Sequence, residues 1–180
     1  MKCAPFEHCY LWCNFVLKLS IMRRIDQLLS EYGESHQDAT NKTIHWICVP
    51  LIFLSITGLI ASIPSGAVQS FLGNNNPYAN WAAVALILVL IYYVSLSIPL
   101  SIGMMLFGAL CLVVINFIVR LDIAPLWVIS LVIFFVAWGG QFYGHKVEGK
   151  KPSFFKDVQF LLIGPAWLMH FLYKRFGIPY

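Results

Sequence analysis

Charge is what this chain lacks most. Asp, Glu, Lys and Arg make up 11% of its 180 residues and apolar types 59%. A soluble domain carries about 25% charged and about 45–50% apolar residues. The shortage excludes an ordinary soluble domain, and a net charge of only +4 leaves no basic footprint for nucleic acid. Cysteine is also thin. The five thiols, Cys3, Cys9, Cys13, Cys48 and Cys111, are odd in number and form no C-x-x-C pair, which argues against a disulfide framework or a zinc ribbon. Cys48 and Cys111 lie in apolar runs, where a free Cys acts as a small hydrophobe. Residues 1–21 have neither a basic leader nor an A-x-A site, so a cleaved signal peptide is not expected. G-x-S-x-G, a phosphate loop, H-E-x-x-H and a Cys-His nucleophile pair are all missing, which removes the common serine, nucleotide-binding and zincin chemistries.

Long apolar runs are what the chain has in their place. Four segments of about 20 residues, 44–63, 81–98, 100–119 and 125–144, match the thickness of a bilayer core. The second and third meet at Ser97-Ile98-Pro99-Leu100-Ser101. One continuous helix there would hold about 40 apolar residues, too many for a single crossing, so a tight hairpin is expected. Pro125 suits the first turn of the fourth span. A last apolar segment, 158–176, is broken by Gly164-Pro165 and reads as re-entrant or as a fifth span. Ahead of the spans, Ile25, Leu28, Leu29 and Tyr32 recur at helical spacing, giving a short amphipathic helix over 22–32 with Gly33 as its C-cap. Residues 65–80 read as an uncharged loop. The expectation is an all-α, polytopic helical membrane protein: an N-terminal extension at 1–21, then one integral membrane domain over 22–180.

Lys and Arg orient it. With four spans, five basic residues (Lys2, Lys18, Arg23, Arg24, Lys42) precede the first and six (Lys146, Lys150, Lys151, Lys156, Lys174, Arg175) follow the fourth, leaving Arg120 on the other side. The positive-inside rule places both termini in the cytoplasm, whether the bilayer is a bacterial inner membrane or the endoplasmic reticulum. The same topology brings the two polar stretches of the chain to one face. His36 and Asn41 precede span one and His45 stands at its start, while Gln141 lies at the end of span four and His145 and Glu148 follow it. Asn41 and His45 are four residues apart and share a helix face. His36 and His45 are nine apart, half a turn out of phase on a single helix. Both reach one site only if the chain turns between them, and Asp38 or Thr40 is placed to cap a helix restarting there.

Histidine is the commonest metal ligand in proteins, and ionisable groups at membrane depth point to function. Two or three His with a carboxylate and open positions suit a non-haem Fe(II) oxygenase, and Zn accepts the same ligands. His36, His45 and His145 are therefore candidate metal ligands. Glu148 is a fourth ligand or a group behind the ligands, and Asn41 orients a ligand or the substrate. Lys150 or Lys151 is placed to meet a substrate carboxylate. A lipid-binding or transport protein with interfacial histidines, and a zinc-dependent membrane hydrolase, remain the alternative readings of these residues.

Residues 22–50, with H-x4-N-x3-H-x4-P at His36, Asn41, His45 and Pro50, together with QFYGHKVEGKKP at 141–152 and the later Gly164-Pro165, resemble the 2-hydroxy fatty acid dioxygenase family. Its known member is a yeast endoplasmic-reticulum enzyme of phytosphingosine degradation. The resemblance covers about 22–176. It implies Fe(2+)-dependent α-oxidation, in which a 2-hydroxy fatty acid and O2 give CO2 and the fatty acid one carbon shorter. It puts His36, His45 and His145 at the family's histidine positions and adds His170 as a further metal ligand. A 2-hydroxy acid can chelate iron through its carboxylate and hydroxyl, and the reaction consumes one O2 without a 2-oxoglutarate co-substrate. In this reading the acyl chain lies among the spans with its polar head at the cytoplasmic face, and membrane lipids surround the helices.

Overall fold

A computed structural model describes residues 23–73, 76–149 and 154–179, with the course of the backbone alone for 154–159. The described residues form seven helices and no strand: α1 (Arg24–Gly33), α2 (Ala39–Ala61), α3 (Gly66–Leu72), α4 (Trp81–Leu96), α5 (Ile98–Leu121), α6 (Leu126–Glu148) and α7 (Phe154–Phe176). The all-helical expectation therefore holds. Among the described residues three helices, α2, α5 and α6, are long and apolar enough to cross a membrane. α4 is the exception to the expected four. It has 16 residues and stops at Leu96 rather than at 98, so it extends about 24 Å, short of a hydrocarbon core of about 30 Å.

The helix boundaries follow local chemistry. α1 buries Ile25, Leu29 and Tyr32, the stripe expected from their spacing. Gly33 is its last helical residue rather than its cap; the N–H of Glu34 closes the helix onto Ser30. Asp38 caps α2, accepting from the N–H groups of Thr40 at 2.8 Å and Asn41 at 3.0 Å. α2 thus begins five residues before the expected 44. Between α4 and α5 a single extended residue, Ser97, ends one helix and caps the next through the N–H of Leu100. The expected hairpin is there, tighter than the five-residue segment suggested. The loop 65–80 contains one short helix, α3, which its turn-rich composition had hidden.

Two glycine-lined seams hold the bundle. α6 runs antiparallel to α2, and a methyl group at Gly144 would strike the Asn41 amide while one at Gly140 would come within 2.7 Å of Cys48 Sγ. Further along, Gly58 sits against Ser130. Small residues permit this approach in a bilayer, where interhelix packing replaces the hydrophobic effect as the driving force. Across the α4–α5 hairpin, Gly108 faces Leu86 in the same way.

α7 is one helix, not the broken segment its sequence suggested; Pro165 lies inside it. A proline removes a helical N–H, and a side chain from outside makes use of the polar backbone nearby. The buried Tyr93 hydroxyl donates to the carbonyl of Leu162. One end of α7 is tied by the Tyr173 hydroxyl to the carbonyl of Pro99 at 2.7 Å. α7 thereby closes over α1, α2 and α5 around a core of Ile25, Leu29, Val49, Leu100, Ile163 and Trp167. Large apolar side chains stand outward on α4 (Leu88, Ile91), α5 (Leu106, Phe117) and α6 (Phe135, Val136). A surface of that kind belongs in lipid rather than in water.

Candidate metal centre

The chain does turn between His36 and His45, at Gln37-Asp38 just ahead of α2, and a second turn precedes it at the end of α1. The N–H of Ser35 bonds to Tyr32 O and that of His36 to Gly33 O, after which Asp38 restarts the chain as α2. This folds His36 back over its own helix end. Its ring stacks on Tyr32, with centroids 4.2 Å apart and planes 14° from parallel, and its Nδ1 lies 2.6 Å from the Tyr32 carbonyl. His45 sits nearly two turns into α2, with its Nδ1 2.9 Å from the carbonyl of Asn41.

Those two contacts determine the protonation pattern. A carbonyl only accepts, so each Nδ1 must carry the hydrogen, and each neutral imidazole then keeps its lone pair on Nε2. The two Nε2 atoms face one another at 3.0 Å. Two lone pairs at that distance repel, and both rings are buried, so water cannot dissipate the repulsion. A shared cation turns the arrangement favourable. Two nitrogens each about 2.1 Å from one ion and at a right angle stand about 3 Å apart, which is the spacing observed.

His145 completes the group. It arrives on α6, its ring centroid 5.3 Å from that of His36 and 5.1 Å from that of His45. One ligand atom from each of the three buried histidines lies within 4.8 Å of the others. Neutral imidazoles, buried, with backbone carbonyls fixing the tautomer of two of them, are what a transition-metal site needs. The residues present fit a metal ion.

Asn41 and Glu148 stand beside the histidines. Asn41 is completely buried. Its Nδ2 donates to Glu148 Oε2 at 3.1 Å and lies 3.4 Å from Ser35 O, while its Oδ1 is packed against Gly144 with no hydrogen-bond partner among the described residues. The Glu148 carboxylate also accepts the backbone N–H of Gln37 at 2.8 Å and of Asp38 at 2.9 Å. His170 stands outside the three-histidine group; its ring meets Phe171 edge-on, and its electrostatic neighbours are Lys174 and Asp26. Lys150 and Lys151 lie outside the described residues.

Sequence reasoning missed two participants. Tyr32 supplies both the ring under His36 and the carbonyl that fixes its tautomer; its position four residues before His36 was the available signal. Trp167 walls the site from α7, 5.5 Å from His36 and 5.3 Å from Tyr32. Nothing local marks it, because it arrives from across the fold.

Residues 22–176 match the model of a family described as Mpo1-like, 2-hydroxy-palmitic acid dioxygenase Mpo1-like. No curated protein and no solved structure matches the chain.

Proposed function

Because the chain belongs to the family of Mpo1-like 2-hydroxy-palmitic acid dioxygenases, we propose that it oxidises a 2-hydroxy fatty acid to CO2 and the acid one carbon shorter, using Fe(II) held by His36, His45 and His145. The observation that carries the metal is the pair of Nε2 lone pairs facing one another at 3.0 Å beside a third buried histidine. The reaction balances as one 2-hydroxy acid and one O2 giving one shorter acid, one CO2 and one water. A bound Fe(II) supplies open positions for the substrate's carboxylate and 2-hydroxyl and the redox chemistry of O2.

The chain's own residues hold and shield. The carbonyls of Tyr32 and Asn41 keep the hydrogen of His36 and His45 on Nδ1, which leaves the lone pair of each neutral ring on Nε2. Tyr32 and Trp167 pack around His36 and exclude water from that side. Lys150, from the basic stretch after α6, is the expected partner of the substrate carboxylate. In the four-crossing arrangement, with the short α4 as one crossing, this site lies at the cytoplasmic face and the acyl chain extends among the helices.

The test is turnover with metal analysis. Purified protein supplied with Fe(II), O2 and 2-hydroxypalmitate is expected to release pentadecanoate and CO2 in equal amounts, with one O2 consumed for each. Turnover that persists without O2, or with Zn in place of Fe, would overturn the proposal in favour of hydrolysis. Absence of stoichiometric metal would point to a lipid-binding protein.

A further inference from the structure

Glu148 is a carboxylate close to His36 and His45, and its hydrogen bonds point away from ligation. Its Oε1 accepts the N–H of Gln37, and its Oε2 accepts the N–H of Asp38 and the amide of Asn41. All three donors belong to the segment that carries the chain from His36 into α2. Gln37 and Asp38 are the residues immediately before α2, whose N-terminal end attracts a negative charge. Glu148 itself is on α6, one turn after His145. A single carboxylate therefore joins the turn holding His36 and the helix holding His45 to the helix end holding His145, across 107 to 111 residues of sequence.

We propose that Glu148 is a positioning residue that clamps the 36–41 segment onto the end of α6 and thereby sets His36 against His45 before any metal arrives. The bonds that turn 33–36 makes internally shape it but do not orient it relative to α6. The bonds to Glu148 supply that orientation. Each is charge-assisted and therefore stronger than a neutral hydrogen bond. Two of the three go to backbone N–H groups, so the clamp depends little on which side chains occupy Gln37 and Asp38. The clamp stands on geometry alone, and only the metal readout below rests on the proposed function.

The test separates a clamp from a ligand by examining the metal-free protein first. Hydrogen–deuterium exchange of the segment 33–42 is compared in chelator-treated wild type, E148Q and E148A. The clamp predicts exchange at Gln37 and Asp38 at least tenfold faster in E148A, with E148Q between, because one of its two positions becomes a donor facing donors. Co(II) is then titrated into each, its visible spectrum serving as a signature of the ligand set. The clamp predicts the wild-type spectrum at saturation with Kd raised about 10–100-fold, the usual effect of losing a group that supports metal ligands. Unchanged exchange in the metal-free variants, or an altered Co(II) spectrum at saturation, would overturn it. If E148Q and E148A do not fold, E148D decides by the same readouts, since it keeps the charge but is one methylene too short. If wild type binds no metal, the proposed function fails while the exchange result still decides the clamp.

Discussion

His45 shows how much one side chain carries here. It is almost fully buried in α2, with one nitrogen given to a carbonyl and the other facing His36. Replacing it with Ala is expected to abolish stoichiometric iron and all turnover, measured by metal analysis and product formation on the same preparation. Retention of one equivalent of iron by His45→Ala would remove it from the ligand set. Gly144 matters for the opposite reason. Its missing Cβ leaves room for the Asn41 amide, so Gly144→Ala forces Asn41 or α6 to move. Overpacking of this kind costs about 1–3 kcal/mol. A lowered unfolding midpoint in detergent, together with weaker metal binding, is the expected outcome. At this scale the three histidines and Asn41 were legible because their residue types and topology converge. Gly144 was not, because a glycine in an apolar run gives no sign of what faces it.

Helix ends and helix breaks decide the element scale. The Asp38 cap allows α2 to begin before His45, so that His45 is held by a rigid helix rather than by a loop. Asp38→Ala is expected to destabilise the protein by about 0.5–2 kcal/mol and to loosen the His36 turn, read as faster amide exchange at Thr40 and Asn41. Pro165 teaches the complementary lesson. The sequence pattern suggested a break, because a proline removes a hydrogen bond wherever it falls in a helix. α7 nevertheless continues, and Tyr93 donates to a carbonyl one turn earlier. Tyr93→Phe removes that buried hydrogen bond, at about 0.5–1.5 kcal/mol, and is expected to lower thermal stability while leaving metal stoichiometry at one. A stability equal to wild type would show that the bond contributes nothing net.

At the scale of the whole molecule, the proposed metal would couple to the fold. A ligand that binds only the folded state stabilises it by about 2.7 kcal/mol at a hundredfold excess over Kd. Chelation is therefore expected to lower the unfolding midpoint of wild type and to leave that of His45→Ala unchanged. Orientation is tested separately. Single cysteines at Asp122 and Glu34, in a background whose native cysteines are removed, are expected to react with an impermeant maleimide from opposite sides of sealed vesicles. Reaction of both from one side would overturn the four-crossing arrangement.

By itself the amino-acid sequence determined the class of the protein and pointed to His36, Asn41, His45, His145 and Glu148 as neighbours on one face. Scarcity of charge and apolar runs of bilayer length require helices in a membrane, since no other open structure satisfies its backbone there. The spacing of His36 and His45 required a turn between them, and that turn is present. Tertiary structure alone decided the rest. The lone pairs of His36 and His45 face each other because of two backbone carbonyls, Trp167 reaches the site from α7, and Glu148 binds backbone N–H groups. None of these leaves a pattern along the chain. A backbone N–H is the same whatever residue bears it, and a contact made across more than a hundred residues has no period.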